Sequence, residues 1–402
     1  MWSSRTSFAT QLAGKAPDVA PAHPQYAVAA AGLALGGLLL VSLPGEGWRM
    51  RVLLLLGMAL GGTLYLTSFS FTSAYRAFML NRETAGLQAQ LLMLALATVL
   101  FTPVLAAGSA FGHSISGAVA PVGMQVVAGA FLFGLGMQLA GGCGSGTLFT
   151  AGGGSVRMLV VLLFFCAGSF WASLHMSWWE RLPSRGEIVL GEHLGWTLAV
   201  ALQLGICAAA WAWLGRVARG NAERPRPRIS VLGGDYTLLV GAALLAVLAF
   251  LVLLVAGHPW SITWAFALWG AKAALPFGWQ PDASAFWNGD FQRRALESSI
   301  FEDVTSVTDI GIVLGALAAA GVAGRFRPQA SFSAASLTAA VVGGLAMGYG
   351  ARIAYGCNIG AFFSGVASTS LHGWVWIVAA LGGTAIGVRL RPWFGLKNQP
   401  GG

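Results

Sequence analysis

Residues 134–149 read Gly134-Leu-Gly-Met-Gln-Leu-Ala-Gly-Gly-Cys143-Gly-Ser-Gly146-Thr-Leu-Phe149. Residues 348–363 read Gly348-Tyr-Gly-Ala-Arg-Ile-Ala-Tyr-Gly-Cys357-Asn-Ile-Gly360-Ala-Phe-Phe363. The two segments align without a gap at an offset of 214 residues, and Gly134, Gly136, Ala140, Gly142, Cys143, Gly146 and Phe149 all meet identical partners. Glycine matches come cheaply in a chain with 56 glycines. Cysteine does not: there are four, and two of them share one aligned position. The segments therefore read as an internal repeat. Neither can hold a regular helix through its centre, because each glycine costs about 1 kcal/mol relative to alanine. A helix break or re-entrant turn is predicted in each half.

The rest of the 402-residue chain sets these breaks in a membrane. Only 9% of residues are charged and 56% are hydrophobic, with a mean hydropathy of +0.71. Soluble domains carry roughly 25% charged residues. About ten apolar runs approach the ~20 residues that a bilayer core requires: Tyr26–Leu43, Val52–Phe69, Leu87–Ala107, Val122–Ala140, Val156–Met176, Gly195–Leu214, Tyr236–Gly257, Asp309–Gly324, Ala335–Gly350 and Gly373–Val388. Four further segments are apolar but too short or broken to cross: Ser70–Met79, Gly141–Gly154, Ser261–Leu275 and Ile353–His372. The fold class expected is an all-α polytopic membrane protein of about ten spans with short re-entrant helices.

The net charge of +9 would suggest nucleic acid in a soluble protein. Here the basic residues fall in short loops, where a positive-inside bias is expected, and no nucleic-acid partner is expected. Arg216, Arg219, Arg224, Arg226 and Arg228 crowd one loop beside Pro225 and Pro227. That loop divides the chain. The expected organisation is a cytoplasmic tail (1–25), an additional N-terminal span and loop (26–51), a first membrane repeat (52–215), a basic cytoplasmic linker (216–235), a second repeat (236–392) and a tail (393–402). Both termini thread to the cytoplasm, and no cleavable signal peptide is expected. A fainter match, Phe69-Ser70-Phe-Thr72-Ser-Ala74 with Trp260-Ser261-Ile-Thr263-Trp-Ala265, extends the repeat at an offset of 191. Five spans between equivalent elements make the repeats inverted, a transporter architecture whose broken helices meet near the midplane.

At membrane depth, broken backbone survives only where protein buries it or a cavity adjoins it. Freed amides and half-helix N-termini favour an anion. Cys143 and Cys357 would stand beside those donors with a soft sulfur and a weak S–H group. A buried cysteine is ordinarily a packing residue, and Cys166 and Cys207 read that way. Gln138 and Arg352 are equivalent positions five residues before the two cysteines. Arg352 either balances an anion or snorkels to an interface. All 14 acids read as loop or span-end residues, so a carboxylate-based cation exchanger is not expected. Neither a Walker A motif nor a zinc-protease pattern occurs. No enzyme activity, cofactor or bound metal is expected. Soft-metal (copper) trafficking stays open as an alternative, since paired membrane thiols suit Cu(I).

The paired Gly-Cys-x-x-Gly segments, the stretch Phe69-Ser-Phe-Thr-Ser-Ala-Tyr-Arg76 and the stretch Thr263-Trp-Ala-Phe-Ala-Leu-Trp-Gly-Ala271 together resemble the bacterial YeeE/YedE family of thiosulfate and sulfur-compound transporters. The resemblance covers about Val52 to Trp393. It implies uptake of an inorganic sulfur anion, typically thiosulfate, across the inner membrane, with Cys143 and Cys357 along a central path. It also implies a small soluble sulfurtransferase-like partner on the cytoplasmic side, besides the lipid bilayer. Family members similar to this chain often carry a cysteine where this chain has Ser70, which leaves another sulfur oxyanion or a selenium relative open as cargo. The expected path comprises Cys143, Cys357, Ser70, Ser261, Thr72, Thr263, Gly142, Gly144, Gly146, Gly356, Asn358, Gly360, Gln138 and Arg352.

Overall fold

The computed structural model describes residues 23–44, 48–220, 237–328 and 332–398. Most of the arginine-rich linker and the N-terminal tail lie outside them. The helices in chain order are α1 (Tyr26–Ser42), α2 (Trp48–Thr67), α3 (Phe71–Asn81), α4 (Ala85–Ala107), α5 (Met124–Ala140), α6 (Gly144–Gly152), α7 (Val156–Ser173), α8 (Met176–Trp179), α9 (Leu190–Leu194) and α10 (Trp196–Arg219). After the linker come α11 (Thr237–Ala256), α12 (Thr263–Ala274), α13 (Asp290–Glu297), α14 (Val304–Val322), α15 (Ala334–Ile353), α16 (Ser364–Ala367) and α17 (Leu371–Leu390). Two short two-stranded ribbons are the only sheet among the described residues. Among the described residues, nine helical stretches are long and apolar enough to cross a membrane, and the 17-residue α1 is a shorter apolar helix. The protein is an all-α polytopic membrane protein.

The four segments too short to cross are α3, α6, α12 and the π-helical turn Asn358–Phe363 that runs into α16. Each of the four follows a long helix in the chain. The halves exchange partners in packing. In the centre α5 lies against α15, while α5 also packs on α17 and α15 on α7. Around them α2 packs on α14 and α4 on α11, with α2 against α11 closing the ring. The additional α1 rests on α14, and α10 rests on α4.

Glycines make these crossings possible, and they repeat at the sequence offset. A Cβ at Gly136 would stand 2.9 Å from the Gly343 carbonyl oxygen and from the Met347 amide of α15. A Cβ at its equivalent, Gly350, would stand 2.5 Å from the Gly129 carbonyl oxygen and 2.7 Å from the Phe133 amide of α5. Gly129 and Phe133 are the 214-residue equivalents of Gly343 and Met347. Gly134 likewise abuts the Ala380 carbonyl of α17, as Gly348 abuts the Phe165 carbonyl of α7. Lipid tails supply no hydrophobic drive between helices, so close backbone approach and van der Waals contact hold such crossings. Outward, Leu163, Val240, Leu198 and Trp213 are exposed, as lipid-facing side chains should be.

Several boundaries differ from the expectation, α2 starting at Trp48 and α10 ending at Arg219, and one difference moves a charged residue. The span predicted to start at Asp309 starts at Val304, because the Asp303 carboxylate accepts the Ser306 amide at 2.8 Å and caps α14. Asp309 is thereby carried inside the helix and fully buried. The reading that every acid lies in a loop or at a span end is corrected at this residue.

Gly134→Leu should overpack the α5–α17 crossing, at a cost of about 1–3 kcal/mol or more. Gly205→Leu on α10, where nothing lies within 4 Å, should not. Thermal melting of the two variants in detergent checks this: a lowered Tm is expected for Gly134→Leu alone.

Candidate functional site

The two breaks are built alike. α5 ends at Gly141, whose φ of +87° is left-handed, and α15 ends two residues before Tyr355, whose φ is +60°. Next come Gly142 and Gly356. A Cβ at Gly142 would stand 3.2 Å from the Thr147 amide, and one at Gly356 would stand 2.7 Å from the Ala361 amide. Gly356 also has a φ of +153°, which glycine alone adopts readily. Cys143 (φ −86°, ψ −165°) and Cys357 (φ −104°, ψ −165°) then occupy the N-cap positions of the two short helices in the same extended conformation. The Cys143 carbonyl takes the Thr147 amide at 2.8 Å, and the Cys357 carbonyl takes the Ala361 amide at 2.9 Å.

Neither thiol forms a side-chain cap bond. The opening amides of each short helix, Gly144 to Gly146 and Asn358 to Gly360, have no intrahelical acceptor, as at any helix start. In hydrocarbon such groups need a partner or a cavity. The Gly146 amide lies against the Cys143 sulfur, and the Ile359 and Gly360 amides lie against the Cys357 sulfur. The breaks also meet: a Cβ at Gly144 would come within 3.1 Å of the Cys357 sulfur. Glycine at 144 keeps that gap open. Both cysteines are fully buried.

Side chains from the other two short helices complete the surroundings. The Thr72 hydroxyl on α3 faces the Cys143 sulfur and has no other partner. The Ser145 hydroxyl lies 3.5 Å from the same sulfur. Asn358 donates to the Tyr75 hydroxyl at 3.4 Å and leaves its own carbonyl oxygen unpartnered. Ser261 approaches the second break, where a Cβ at Gly360 would stand 3.4 Å from its hydroxyl oxygen. Thr263 is buried in the first turn of α12. Trp376 donates to the Gly356 carbonyl at 3.2 Å and braces the turn.

Three of the expected path residues stand apart from the thiols. Ser70 caps α3, its hydroxyl accepting the Ser73 amide at 3.3 Å. Gln138 donates to the Thr72 carbonyl at 3.1 Å and so positions the Thr72 backbone. Arg352 lies over the Phe286 ring, 5.0 Å from its centroid, with Tyr355 and Glu180 in electrostatic range. Arg157 serves the break itself: it donates to the Leu139 carbonyl at 2.9 Å and to the Ala140 carbonyl, the acceptors freed where α5 stops. Sequence reasoning did not single out Tyr75 or Asp309 as functional residues. Tyr75 lay within the Phe69–Arg76 stretch, and only its contact with Asn358 gives it a role. The tryptophans Trp264 and Trp269 fasten α12 to α14 through Asp303 and Ser306, each at 2.9 Å.

The chain is similar over most of its length to known transporters. It is 27% identical to the thiosulfate transporter TsuA of Spirochaeta thermophila over 340 residues, which is 80% of this chain and 93% of that protein. It is 24% identical to TsuA of Escherichia coli, across 81% of this chain and 90% of the relative. It is 34% identical to the probable transporter YedE of Escherichia coli over 143 residues, 36% of this chain; that match spans only 33% of the relative's length. Residues 66–386, which contain both cysteine breaks and all four short helices, match the family described as sulphur transport. The chain therefore belongs to the sulphur transport family of membrane transporters, with the YeeE/YedE proteins, and is not an enzyme.

Proposed function

We propose that this protein takes up thiosulfate across the bacterial inner membrane, along a central path at the junction of the two cysteine breaks. The observation that carries the reading is the approach of Cys357 to Gly144. It sets two helix N-termini, two thiols and the opening amides of both short helices around one place. A helix N-terminus carries roughly half a positive charge, which stabilises an anion by about 0.3–2 kcal/mol. The thiols add weak donors and soft contacts for a sulfane sulfur. Conduction needs sites strong enough to admit an ion and weak enough to release it, and thiols meet that need better than arginines would. The names of the two TsuA relatives, aligned over nearly their whole length, point to the same cargo.

The path runs from Ser261 and Thr263 on one side to Thr72 on the other, with the cysteines between. The five membrane-crossing helices between the two breaks are α7, α10, α11, α14 and α15. Their odd number supports inverted repeats. Gln25 bonds to the Phe326 backbone through both ends of its amide, and Gly154 lies against Phe326 and Arg327. These bonds group the start of α1, the α6–α7 turn, Arg325 and Arg327 at one end of the molecule, which supports cytoplasmic placement of that end. Moving a dianion inward against an inside-negative potential costs about 2.3 kcal/mol per charge per 100 mV. A cytoplasmic sulfurtransferase-like protein that consumes the ion would help to draw it in.

Expression in a host that depends on external sulfur should permit growth on thiosulfate as sole source. Cys143→Ala and Cys357→Ala should each lower the uptake rate about tenfold, the effect of roughly 1.4 kcal/mol, with membrane levels unchanged. Wild-type protein that confers no growth or uptake contradicts the cargo, and two variants with normal uptake contradict the cysteine roles. Gly144→Val should close the gap beside Cys357 and abolish uptake of labelled thiosulfate while leaving the protein in the membrane.

A further inference from the structure

Asp309 has no place in the path described above. It is the one acidic residue inside a membrane-crossing helix among the described residues. Its exposure is 0%, and neither carboxylate oxygen has a hydrogen-bond partner. It lies five residues into α14, about 8 Å along the axis from Val304. An unpaired ionised carboxylate in such surroundings costs several kcal/mol. In a membrane helix such a residue marks an ion or proton pathway more often than a packing position.

Its position connects it to the cysteine site. Val313 and Ala316, one and two turns further along the same face, pack on Gly152 of α6, the short helix that Cys143 caps. Asp309 is within electrostatic range of Cys357 and of Cys166 on α7. Its other electrostatic neighbour is Asp303, at the start of α14. The elements packed on α14 add no partner. α6 carries no titratable group, α1 carries Tyr26, and α2 carries Arg49, Arg51 and Tyr65. On α12, Lys272 donates to the Leu296 and Ser298 carbonyls at 2.7 and 2.6 Å. Glu302 lies in the turn before Asp303. No group of three His, Cys, Asp or Glu residues that could hold a metal ion occurs among the described residues. A lone carboxyl of this kind suits a proton.

We propose that Asp309 is a proton-binding site that couples proton entry to anion uptake. The inference rests on the proposed sulfur-anion transport and supplies its driving force. Ionised, Asp309 places a negative charge beside the anion path and opposes occupancy of the cysteine site. Protonated, it removes that charge, so proton and anion favour each other's binding by the same factor. One proton entering with each dianion offsets one of the two charges moved against the potential.

The test uses purified full-length protein in proteoliposomes with the membrane potential clamped at zero and labelled thiosulfate outside. For wild type, a gradient of about one pH unit, acid outside, should raise steady-state accumulation about tenfold, the limit for one proton per ion. A protonophore should abolish the effect. Asp309→Asn, a neutral substitution of the same shape, should still equilibrate thiosulfate but gain nothing from the gradient. Asp309→Glu should recover part of the gain. Wild-type uptake that ignores the proton gradient overturns the proposal, whatever the variants do. So does a sodium gradient that drives accumulation in its place, or an Asp309→Asn variant that keeps the full gradient response. Wild-type protein that moves no thiosulfate at all overturns the transport reading on which the proposal rests.

Discussion

In the hydrocarbon core, a backbone amide without an acceptor has no water to turn to, and the structure depends on that constraint. A chain that stops a helix at membrane depth must surround the exposed groups with protein or give them a ligand. This chain stops its helices there twice, at Cys143 and at Cys357, and at the first break it treats the two ends differently. The acceptors freed at the end of α5 are taken by Arg157 and by Arg391, which donates to the Gln138 carbonyl. The donors freed at the start of α6 and of the Asn358–Phe363 turn are left beside a thiol. At the first break the carbonyls are closed off by arginines while the amides face a thiol, which is the polarity an anion site requires.

Holding two breaks side by side demands close packing elsewhere. The central helices α5 and α15 approach through Gly129, Gly136, Gly343 and Gly350, with α17 and α7 pressed onto their far sides through Gly134 and Gly348. These contacts repeat at the 214-residue offset, so the two breaks are held by the same framework used twice. The high glycine content is thus divided between two roles. One set brings helices within backbone contact, and Gly144 leaves the space beside Cys357 open.

Much of this was legible in the sequence because rare residues recur in register. Two of four cysteines at one aligned position, each beside glycine, located both breaks and the short helices that follow. Side-chain partnerships were less legible. Ser70 read as a path residue because it sits in a family motif, but an N-cap serine has its hydroxyl drawn back to its own helix. Arg352 read as an anion partner by its nearness to Cys357 in sequence, and in space its guanidinium lies over Phe286. The start of α14 was placed too late because Val304-Thr-Ser-Val-Thr-Asp309 has only two apolar residues in six. The signal that could have corrected it was local: Asp303, directly before the run, is a preferred N-cap residue. With the helix begun at Val304, Asp309 falls among buried positions. Composition placed Asp309 at a span end, and the structure buries it inside α14.

The central claim is that one sulfur anion lies between the two cysteine breaks, held by amides from both halves of the chain. The most direct measurement is the position of a selenium-containing analogue of thiosulfate, selenosulfate, in a structure of the loaded protein. The account predicts the selenium in contact with the Cys143 and Cys357 sulfurs, with the oxyanion facing the Gly144–Gly146 or Asn358–Gly360 amides. An analogue bound elsewhere, with the gap between Gly144 and Cys357 empty, would contradict it.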